Sequence, residues 1–232
     1  SALLSMKMCP DLILACPVPG LERSVRNAQA MADLIGVGFK EIGPEDAQLT
    51  TKPLSPIIGP DGPLKVDTLP EYWAYHCAAS QGVRGMVSGL GVDELLLGHP
   101  RHMYFMSQMA GPLSSGSRIR ALSAAARGEE LPATTYYNLI RRGHDRPSLR
   151  WLVEEKFRLT HNFAQAVALT DMAVSLPRAL AVSDMLADRF RLEIRYPSLA
   201  PDFVRACLNL PDECKIDVRT CRAKICLEEL AI

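Results

Sequence analysis

The sequence has 232 residues, of which 48% are hydrophobic and 22% charged, a composition typical of a globular protein with a sizeable core. Its 26 basic and 26 acidic side chains cancel, so no net charge favours nucleic acid or an anionic membrane. No apolar run approaches the roughly 20 residues of a membrane span, and no signal-peptide pattern is found. Seven cysteines without a Cys-x-x-Cys pair favour reduced thiols in a cytoplasmic protein over disulfides or a zinc site.

A strand–helix–strand unit is the first pattern along the chain. The apolar run DLILA at 11–15 predicts a buried strand, and residues 22–35 carry apolar side chains at helical spacing. Gly36 stands where a helix commonly ends, and GFKEI at 38–42 alternates like a strand. Because a helix connects the two strands, we expect them to pair in parallel with a right-handed crossover.

A second helix and strand follow a segment rich in proline and glycine at 43–66, which predicts a long excursion. The sequence TLPE then predicts a helix that Thr68 caps, with Glu71 completing a capping box. That helix should end at Gly82, and VRGMV at 83–87 reads as the next strand.

The end of that strand carries the sequence VSGLGVDELLLG, residues 87–98. Open α/β sheets bind their ligands at the carboxyl ends of strands, and glycines let backbone N–H groups approach an anion. A helix beginning near Val92 would add its N-terminal dipole, so phosphate is the expected ligand. Asp93 could hold a Mg²⁺ ion that bridges phosphate oxygens. The alternative is a simple glycine turn in which Asp93 or Glu94 is a helix N-terminal charge.

Helical spacing dominates after residue 100. It is present at 117–127, 148–160, 174–190 and 219–231. We therefore expect an α/β part at 1–110 and a largely helical part at 111–232. A local basic cluster contains Arg141, Arg142, His144, Arg146 and Arg150. It would suit phosphates or an acidic peptide, and the alternative is a solvated loop.

Three segments, taken in order, resemble the asparagine synthetase C-terminal domain family. SGLGVDELLLGHPRH resembles the family's Ser-Gly-x-Gly-x-Asp-Glu-x-x-x-Gly-Tyr segment. LPRALAVSDMLADRFRLEIRYPSL, residues 176–199, resembles its Leu-Pro, Asp-Arg-Met and Glu-x-Arg-x-Pro-Phe-Leu pattern. NLPDECK and RTCRAKICLEEL resemble its Leu-Pro-x-x-x-Lys and Gly-Lys-x-x-Leu-Arg elements. The resemblance spans residues 20–232, and relatives include asparagine synthetases, β-lactam synthetases and lasso peptide cyclases.

The resemblance implies a parallel sheet of adenine-nucleotide α-hydrolase (HUP) type with a largely helical C-terminal part. It also implies that a substrate carboxylate attacks the α-phosphate of ATP and that an amine then displaces AMP to form an amide. Matching positions assign the nucleotide loop to Ser88, Gly89, Leu90 and Gly91, the metal to Asp93, and catalysis to Lys224 and Glu193.

Each of these assignments has a structural alternative. Lys224, which the resemblance places opposite pyrophosphate and developing charge, could be a surface lysine on a C-terminal helix. Glu193 and Arg195 match a Glu-x-Arg pair that lines the pocket or forms a partly buried ion pair. The implied ligands are ATP, Mg²⁺ and a carboxylate, with a peptide among the candidates. Nucleic acid and membrane are not expected partners.

The sequence also departs from the family pattern. The Ser-Gly-Gly-x-Asp-Ser phosphate loop is missing, and Ser1 could stand at its last serine. That loop lies outside this sequence, on a separate chain, or has been lost, so we expect the 232 residues alone to bind ATP weakly. Leu90 replaces a Glu or Tyr that acts in proton transfer in relatives. Further replacements are His99 for Tyr, Ser198 for Phe and Glu228 for Arg.

These departures favour a specialised peptide or natural-product ligase or cyclase over a housekeeping asparagine synthetase. Three alternatives stay open. The chain could be a non-catalytic family member that binds a nucleotide or partner, a fragment of an asparagine synthetase-like amidotransferase, or an unrelated α/β binding module.

Overall fold

The computed structural model describes residues 12–15, 22–42, 58–59, 62–63, 68–110, 131–141, 146–160 and 162–230. It has a mostly helical α/β fold with small sheets. The chain divides into two compact units. The first unit contains the residues up to Gly89 together with Arg178–Pro197, and the second contains Leu90–Pro177 together with the residues from Ser198 onward.

The described helices are α1 (Glu22–Ile35), α2 (Leu69–Ser80), α3 (Val92–Leu95), α4 (Pro100–Ala110), α5 (Leu131–Ile140), α6 (Pro147–Leu159), α7 (Phe163–Phe190), α8 (Pro201–Asn209) and α9 (Ile225–Leu230). The described strands are β1 (Leu12–Ala15), β2 (Gly38–Glu41), β3 (Ile58–Gly59), β4 (Gly62–Pro63), β5 (Gly85–Val87), β6 (Glu193–Arg195), β7 (Ile216–Asp217) and β8 (Arg222–Ala223). Short 3₁₀ turns cover Pro197–Leu199 and Asp212–Cys214.

The predicted strand–helix–strand unit is confirmed in the first unit. Strands β1 and β2 pair in parallel, with Leu12 opposite Gly38, and α1 connects them. Ala32 on the apolar face of α1 is fully buried. Gly36 ends the helix in the left-handed region with a φ of 71°, a conformation that costs glycine little because it has no Cβ.

The strand predicted at 83–87 is present as β5, but its described partner comes from much later in the chain. β5 pairs in parallel with β6, with Gly85 opposite Glu193. The Ser88 N–H extends this ladder by donating to the Arg195 carbonyl over 2.9 Å. The strands that the structure describes form two-stranded pairs, so the wider HUP-type sheet stays a prediction.

Helix α2 has the predicted bounds, but the predicted capping box was wrong. Thr68 makes no side-chain cap hydrogen bond, because its φ and ψ of −97° and −3° are already helical, whereas a capping residue needs extended backbone. Glu71 instead accepts a hydrogen bond of 3.4 Å from the Tyr75 hydroxyl one turn along the helix. Burial raises the pKa of Glu71, although hydrogen bonds from Ser183 and Tyr75 oppose that shift.

The core of the first unit joins α2 to the C-terminal part of α7 and to β6. Its buried members are Tyr72, Tyr75, Ala78, Leu186, Ala187 and Leu192. Inside this core the Ser183 hydroxyl shares a short hydrogen bond with Tyr75 and accepts one of 3.0 Å from Tyr196. Burial raises the pKa of the Tyr196 phenol to about 12, so the hydroxyl stays protonated and able to donate near neutral pH.

The core of the second unit is aromatic and lies among α4, α5, α6 and the N-terminal part of α7. Its buried side chains include Leu97, Phe105, Tyr136, Tyr137, Val153, Phe157 and Val167. Helices α6 and α7 confirm the helices predicted at 148–160 and 174–190. The helix predicted at 117–127 lies outside the described residues.

Helix α7 is long and apolar enough to cross a membrane if length and composition alone are considered. Core helices of soluble proteins pass the same test, and Ala164, Val167 and Ala168 of this helix are buried in the core of the second unit. The helix therefore gives only weak support to a membrane span.

Two described members of the basic cluster contact Tyr137 of the aromatic core, and a binding role for the cluster stays a prediction. The Arg150 guanidinium lies 4.8 Å from the centre of the Tyr137 ring, which is a cation–π distance. The Arg146 N–H donates to the Tyr137 hydroxyl over 2.7 Å. Arg142 and His144 lie outside the described residues.

Candidate functional site

The predicted nucleotide loop contributes residues to both units. Ser88 and exposed Gly89 follow β5 in the first unit, whereas Leu90 and buried Gly91 belong to the second. Gly91 has a φ of 93°, and a Cβ there would collide with the Leu199 side chain. Both its backbone conformation and its surroundings therefore require glycine.

Ser198 supports this loop in the second unit, a role that the sequence did not reveal. The side chain is buried, and its hydroxyl donates a short hydrogen bond to the Leu90 carbonyl. A phenylalanine, which the family pattern has at this position, could not make that bond. The only signal in the sequence was the departure from the family pattern.

Helix α3 begins at Val92 as predicted, but it is a single turn. It ends at Leu95, and Leu97 then adopts a left-handed φ of 57°. The Gly98 N–H closes the turn by donating to the Asp93 carbonyl over 2.8 Å. One turn carries only a small dipole, so the helix N-terminus adds little to the predicted attraction for phosphate.

The centre of the candidate site is an ion pair between Asp93 and Lys224. The Lys224 Nζ lies 2.9 Å from Asp93 Oδ1, and the two side chains are 39% and 42% exposed. Gly98 lies directly against this pair, because a Cβ at that position would overlap the Asp93 carboxylate and lie 3.0 Å from Lys224 Cδ. Asp93 and Lys224 were both predicted as site residues, and the structure brings them together within the second unit.

The conformation of Lys224 differs from the prediction. It was expected on a helical stretch at 219–231, but the β7–β8 hairpin occupies the first part of that range and α9 begins only at Ile225. The Asp217 carboxylate stabilises the hairpin turn by accepting hydrogen bonds from the Arg219 N–H over 2.8 Å and the Thr220 hydroxyl over 2.7 Å. Such local bonds compete with helix formation. Ile225, the first residue of α9, is buried, so this helix packs against the rest of the second unit.

Lys224 itself is held by its backbone. Its φ is 57°, and its N–H donates to the Lys215 carbonyl over 2.6 Å. Lys215 is buried, and its ammonium donates to the Leu208 carbonyl over 3.3 Å. Burial lowers the pKa of Lys215, although Asp212 opposes the shift. A non-glycine residue in this region costs about 1–3 kcal/mol, and Leu97, Arg191 and Cys221 adopt the same left-handed conformation.

The donor set at Asp93 fits a magnesium ion that arrives with phosphate. Among the residues that the structure describes, no group of three or more His, Cys, Asp or Glu side chains could hold a metal ion. Mg²⁺, however, is commonly bound through one or two carboxylates, water and substrate phosphates. The half-exposed Asp93 carboxylate meets that requirement. The described side chains alone do not provide a complete set of metal ligands.

Glu193 and Arg195 lie on β6 of the first unit. Arg195 donates to Glu193 Oε1 from Nε over 3.0 Å and from Nη2 over 2.8 Å. The ion pair of the structural alternative is therefore present, but its side chains are 66% and 64% exposed rather than partly buried. β6 is the parallel neighbour of the strand that leads to Ser88. The catalytic role of Glu193 stays a prediction.

The structure buries Glu94, which the sequence suggested only as a helix N-terminal charge. Its carboxylate lies 3.0 Å from His99 Nε2, and Glu94 is 5% exposed. His99 in turn packs its ring at 5.1 Å from the ring of His102. Sequence reasoning treated His99 only as a replacement for tyrosine and missed this pairing.

A buried charged cluster lies beside His99, and the sequence analysis missed it. Asp171 on α7 accepts hydrogen bonds from Arg101 Nε over 3.1 Å and from His102 Nε2 over 2.7 Å. His102 Nδ1 accepts from the His99 N–H over 3.3 Å, so the ring proton lies on Nε2. His102 is therefore the neutral tautomer, in agreement with its pKa, which burial lowers.

The charge states of the other two members follow from the same contacts. Burial tends to raise the pKa of Asp171, but the bonds from His102 and the charge of Arg101 outweigh it, so the pKa is lowered. Burial tends to lower the pKa of Arg101, but the charge of Asp171 outweighs that effect, so the Arg101 pKa is raised. The acidic residue in the otherwise apolar sequence ALTDMAV was the one available signal for this cluster.

The profile of the asparagine synthase family matches residues 26–230. Because the match covers most of the chain, this protein belongs to the asparagine synthase family, as the three motif segments indicated. The family comprises ATP-using ligases that form amide bonds. Neither the curated proteins nor the solved structures gave a match to the chain.

Proposed function

We propose that this protein forms an amide bond through an acyl-adenylate and acts as a specialised peptide or natural-product ligase or cyclase. The ion pair between Asp93 and Lys224 is the observation that carries the proposal. Two motif segments far apart in sequence place an acidic and a basic group 2.9 Å apart, and both side chains stay accessible to a ligand.

The reaction has two steps. In the first, a carboxylate oxygen of the substrate attacks the α-phosphorus of ATP, and the bond to the β-phosphate oxygen breaks to release pyrophosphate. In the second, an amine attacks the acyl carbon, loses a proton, and AMP leaves. Both steps create negative charge on oxygen atoms, which a positioned cation stabilises more in the transition state than in the ground state.

Lys224 supplies that cation. Its ammonium is paired with Asp93, and the exposed pair is weak enough to exchange partners. A lysine is a compact point charge on a flexible stem, suited to meeting phosphate or acyl oxygens in turn. Asp93 would hold Mg²⁺, which offsets the charge of the phosphate oxygens when it is bound.

Three departures from the family pattern support a specialised role. Leu90 carries no group that could transfer a proton, so the base must come from another residue or the amine must arrive neutral. His99 replaces a tyrosine and is held by a buried carboxylate. Ser198 replaces a phenylalanine and bonds to the loop. Such changes around one loop favour a substrate other than aspartate.

Asp93→Asn, measured in a protein that includes the Ser-Gly-Gly-x-Asp-Ser loop, tests the metal assignment. We expect ATP affinity measured by calorimetry to lose its dependence on Mg²⁺, because the amide cannot provide the anionic ligand that Mg²⁺ needs. The control is Asp202→Asn, which alters an exposed aspartate paired with Arg205 over 3.2 Å and should bind ATP like the wild type. Unchanged Mg²⁺-dependent binding in Asp93→Asn would remove Asp93 from the site.

A non-catalytic binding role is the second candidate, and Leu90 is the observation that favours it. Pyrophosphate release distinguishes the two candidates when ATP, Mg²⁺ and a panel of carboxylic acids and peptides are supplied. Release that depends on one carboxylate supports the ligase. ATP binding without pyrophosphate release across the panel supports the binding role.

A further inference from the structure

A surface pocket of about 480 Å³ lies in the second unit beside the ion pair. One wall is formed by the N-terminal half of α4, including Met103 and Tyr104. The opposite wall is formed by the β7–β8 hairpin, including Val218 and Ala223. A volume of this size lies within the range of small-molecule sites.

The pocket is adjacent to the charged centre through two of its lining residues, Gly98 and Ala223, although Asp93 and Lys224 do not line it themselves. Gly98 contributes to its lining, and a Cβ on Gly98 would overlap the Asp93 carboxylate and approach Lys224 Cδ to 3.0 Å. Ala223, on the hairpin side, directly precedes Lys224 in the chain. A molecule with one end at the ion pair would therefore extend its other end along these walls.

The chemistry of the walls is apolar. Met103, Val218 and Ala223 present carbon and sulfur, and Tyr104 is an aromatic side chain that is 53% exposed. Among the described lining residues there is no lysine or arginine. His99 is the lining residue with an imidazole ring, and its Nε2 lies 3.0 Å from Glu94 Oε1.

We propose that this pocket binds a bulky apolar group, aromatic or branched aliphatic, carried by the carboxylic acid that the protein activates. The inference rests on the proposed adenylating function. The ion pair marks the phosphate end of the site, so the pocket beside it receives the acyl side. A small dicarboxylate such as aspartate would find no cation for its second carboxylate here, and burying an unpaired charge is unfavourable.

Acylsulfamoyl adenosines, stable mimics of acyl-adenylates, test the inference without a known substrate. Calorimetry on the 232-residue chain would compare phenylacetyl, acetyl and β-aspartyl forms. All share the adenosine half, so affinity ratios report the acyl group alone. We expect the phenylacetyl form to bind about tenfold or more tightly than the acetyl form, because it buries a ring. The aspartyl form should bind no more tightly than the acetyl form.

Two variants locate the effect. Ser107→Trp places a bulky ring on the pocket wall from an exposed position, and should abolish the preference for phenylacetyl while acetyl binding persists. Tyr104→Ser removes the exposed aromatic wall and should reduce that preference about threefold or more. The matched control is Trp151→Ser on α6, which alters an aromatic residue that is 61% exposed and should leave the preference unchanged.

The outcomes separate the two proposals. Equal binding of the three acyl forms, or tighter binding of the aspartyl form, overturns the pocket assignment, while binding of adenosine ligands in that case still supports the proposed function. Weak ATP binding is already expected of these 232 residues, so the acylsulfamoyl adenosines are decisive, and if none of them binds, both proposals fail. A phenylacetyl preference that survives Ser107→Trp places the apolar group elsewhere and overturns the inference.

Discussion

Two charged clusters of the second unit have opposite properties. The cluster of Arg101, His102 and Asp171 is built around an aspartate and a histidine that are both fully buried, and several hydrogen bonds satisfy the carboxylate. The pair of Asp93 and Lys224 is about 40% exposed and has one contact at 2.9 Å.

The difference indicates which cluster serves the fold and which serves a ligand. A buried carboxylate with several donors is fully committed to its neighbours, and removing it leaves buried polar groups unpaired. An exposed ion pair contributes about 0–1 kcal/mol. The accessible pair is therefore the one that can exchange its partner for a ligand.

The largest expected effect is the loss of stability in Asp171→Ala. Arg101 and His102 would lose their buried acceptor, so we expect the free energy of unfolding to fall by about 3–5 kcal/mol. Urea unfolding followed by circular dichroism measures it. Asp202→Ala removes an aspartate whose side chain is 95% exposed, and should change stability by about 0.5 kcal/mol or less. Similar losses in both variants would end the distinction between the clusters.

Lys224→Ala should give the reverse result, with a large loss of activity and little loss of stability. We expect carboxylate-dependent ATP–pyrophosphate exchange to fall by about 10²–10³-fold, the usual effect of losing one transition-state donor. The Michaelis constant for ATP should change less. Lys224→Arg should restore only part of the rate, because its planar fork distributes charge differently.

Lys156→Ala is the matched control for Lys224. That lysine also forms a surface ion pair, with Glu155 at 3.1 Å, but it lies on α6 and does not line the candidate site. Its exchange rate should match the wild type. Near wild-type exchange in Lys224→Ala would reduce Lys224 to a surface residue and weaken the adenylating assignment.

Gly98→Ala sharpens the comparison without removing any charge. The new methyl group would overlap the Asp93 carboxylate and force it to move, so Mg²⁺-dependent ATP affinity should fall about tenfold, or about 1.4 kcal/mol. In Gly85→Ala the added Cβ would lie 3.8 Å from the Glu193 carbonyl oxygen, an ordinary contact, so ATP binding should persist. Equal affinity in both variants argues against a fixed position for Asp93.

The smallest expected effect is a pH dependence of stability that comes from His102. Its folded-state pKa is lowered by burial, whereas unfolded histidine titrates near about 6.5. The unfolded state therefore binds more protons, and stability falls as pH decreases from about 7.5 toward the folded pKa. The contribution cannot exceed about 1.4 kcal/mol per pH unit.

His102→Gln isolates this contribution. Urea unfolding between pH 5 and 8 should show a shallower pH slope in the variant than in the wild type, because glutamine can donate to Asp171 but does not titrate. Asp171, Arg101 and His99 are the charged or titratable groups that face His102, and the Tyr136 ring lies 6.3 Å from it. Parallel slopes would show that His102 has the same pKa in both states.

Local patterns were sufficient for much of the first unit and for the positions of the motif residues. The spacing of apolar residues predicted α1, β1 and β2, and Gly36 marked the end of the helix. These features depend on interactions within a few residues, so the sequence alone could indicate them. The glycines of the loop and the acidic residue at 93 were recognised for the same reason.

Tertiary structure decided which of those residues meet. The partner of β5 is β6, more than a hundred positions later, and Asp93 pairs with Lys224 although local periodicity placed that lysine on a helix. Thr68 was a good local candidate for a helix cap and does not act as one. Contacts of this kind depend on the packing of the whole unit, which can override local preference at small cost. The sequence therefore determined the chemistry present in the chain, and only the fold determined that Asp93, Gly98 and Lys224 form one site.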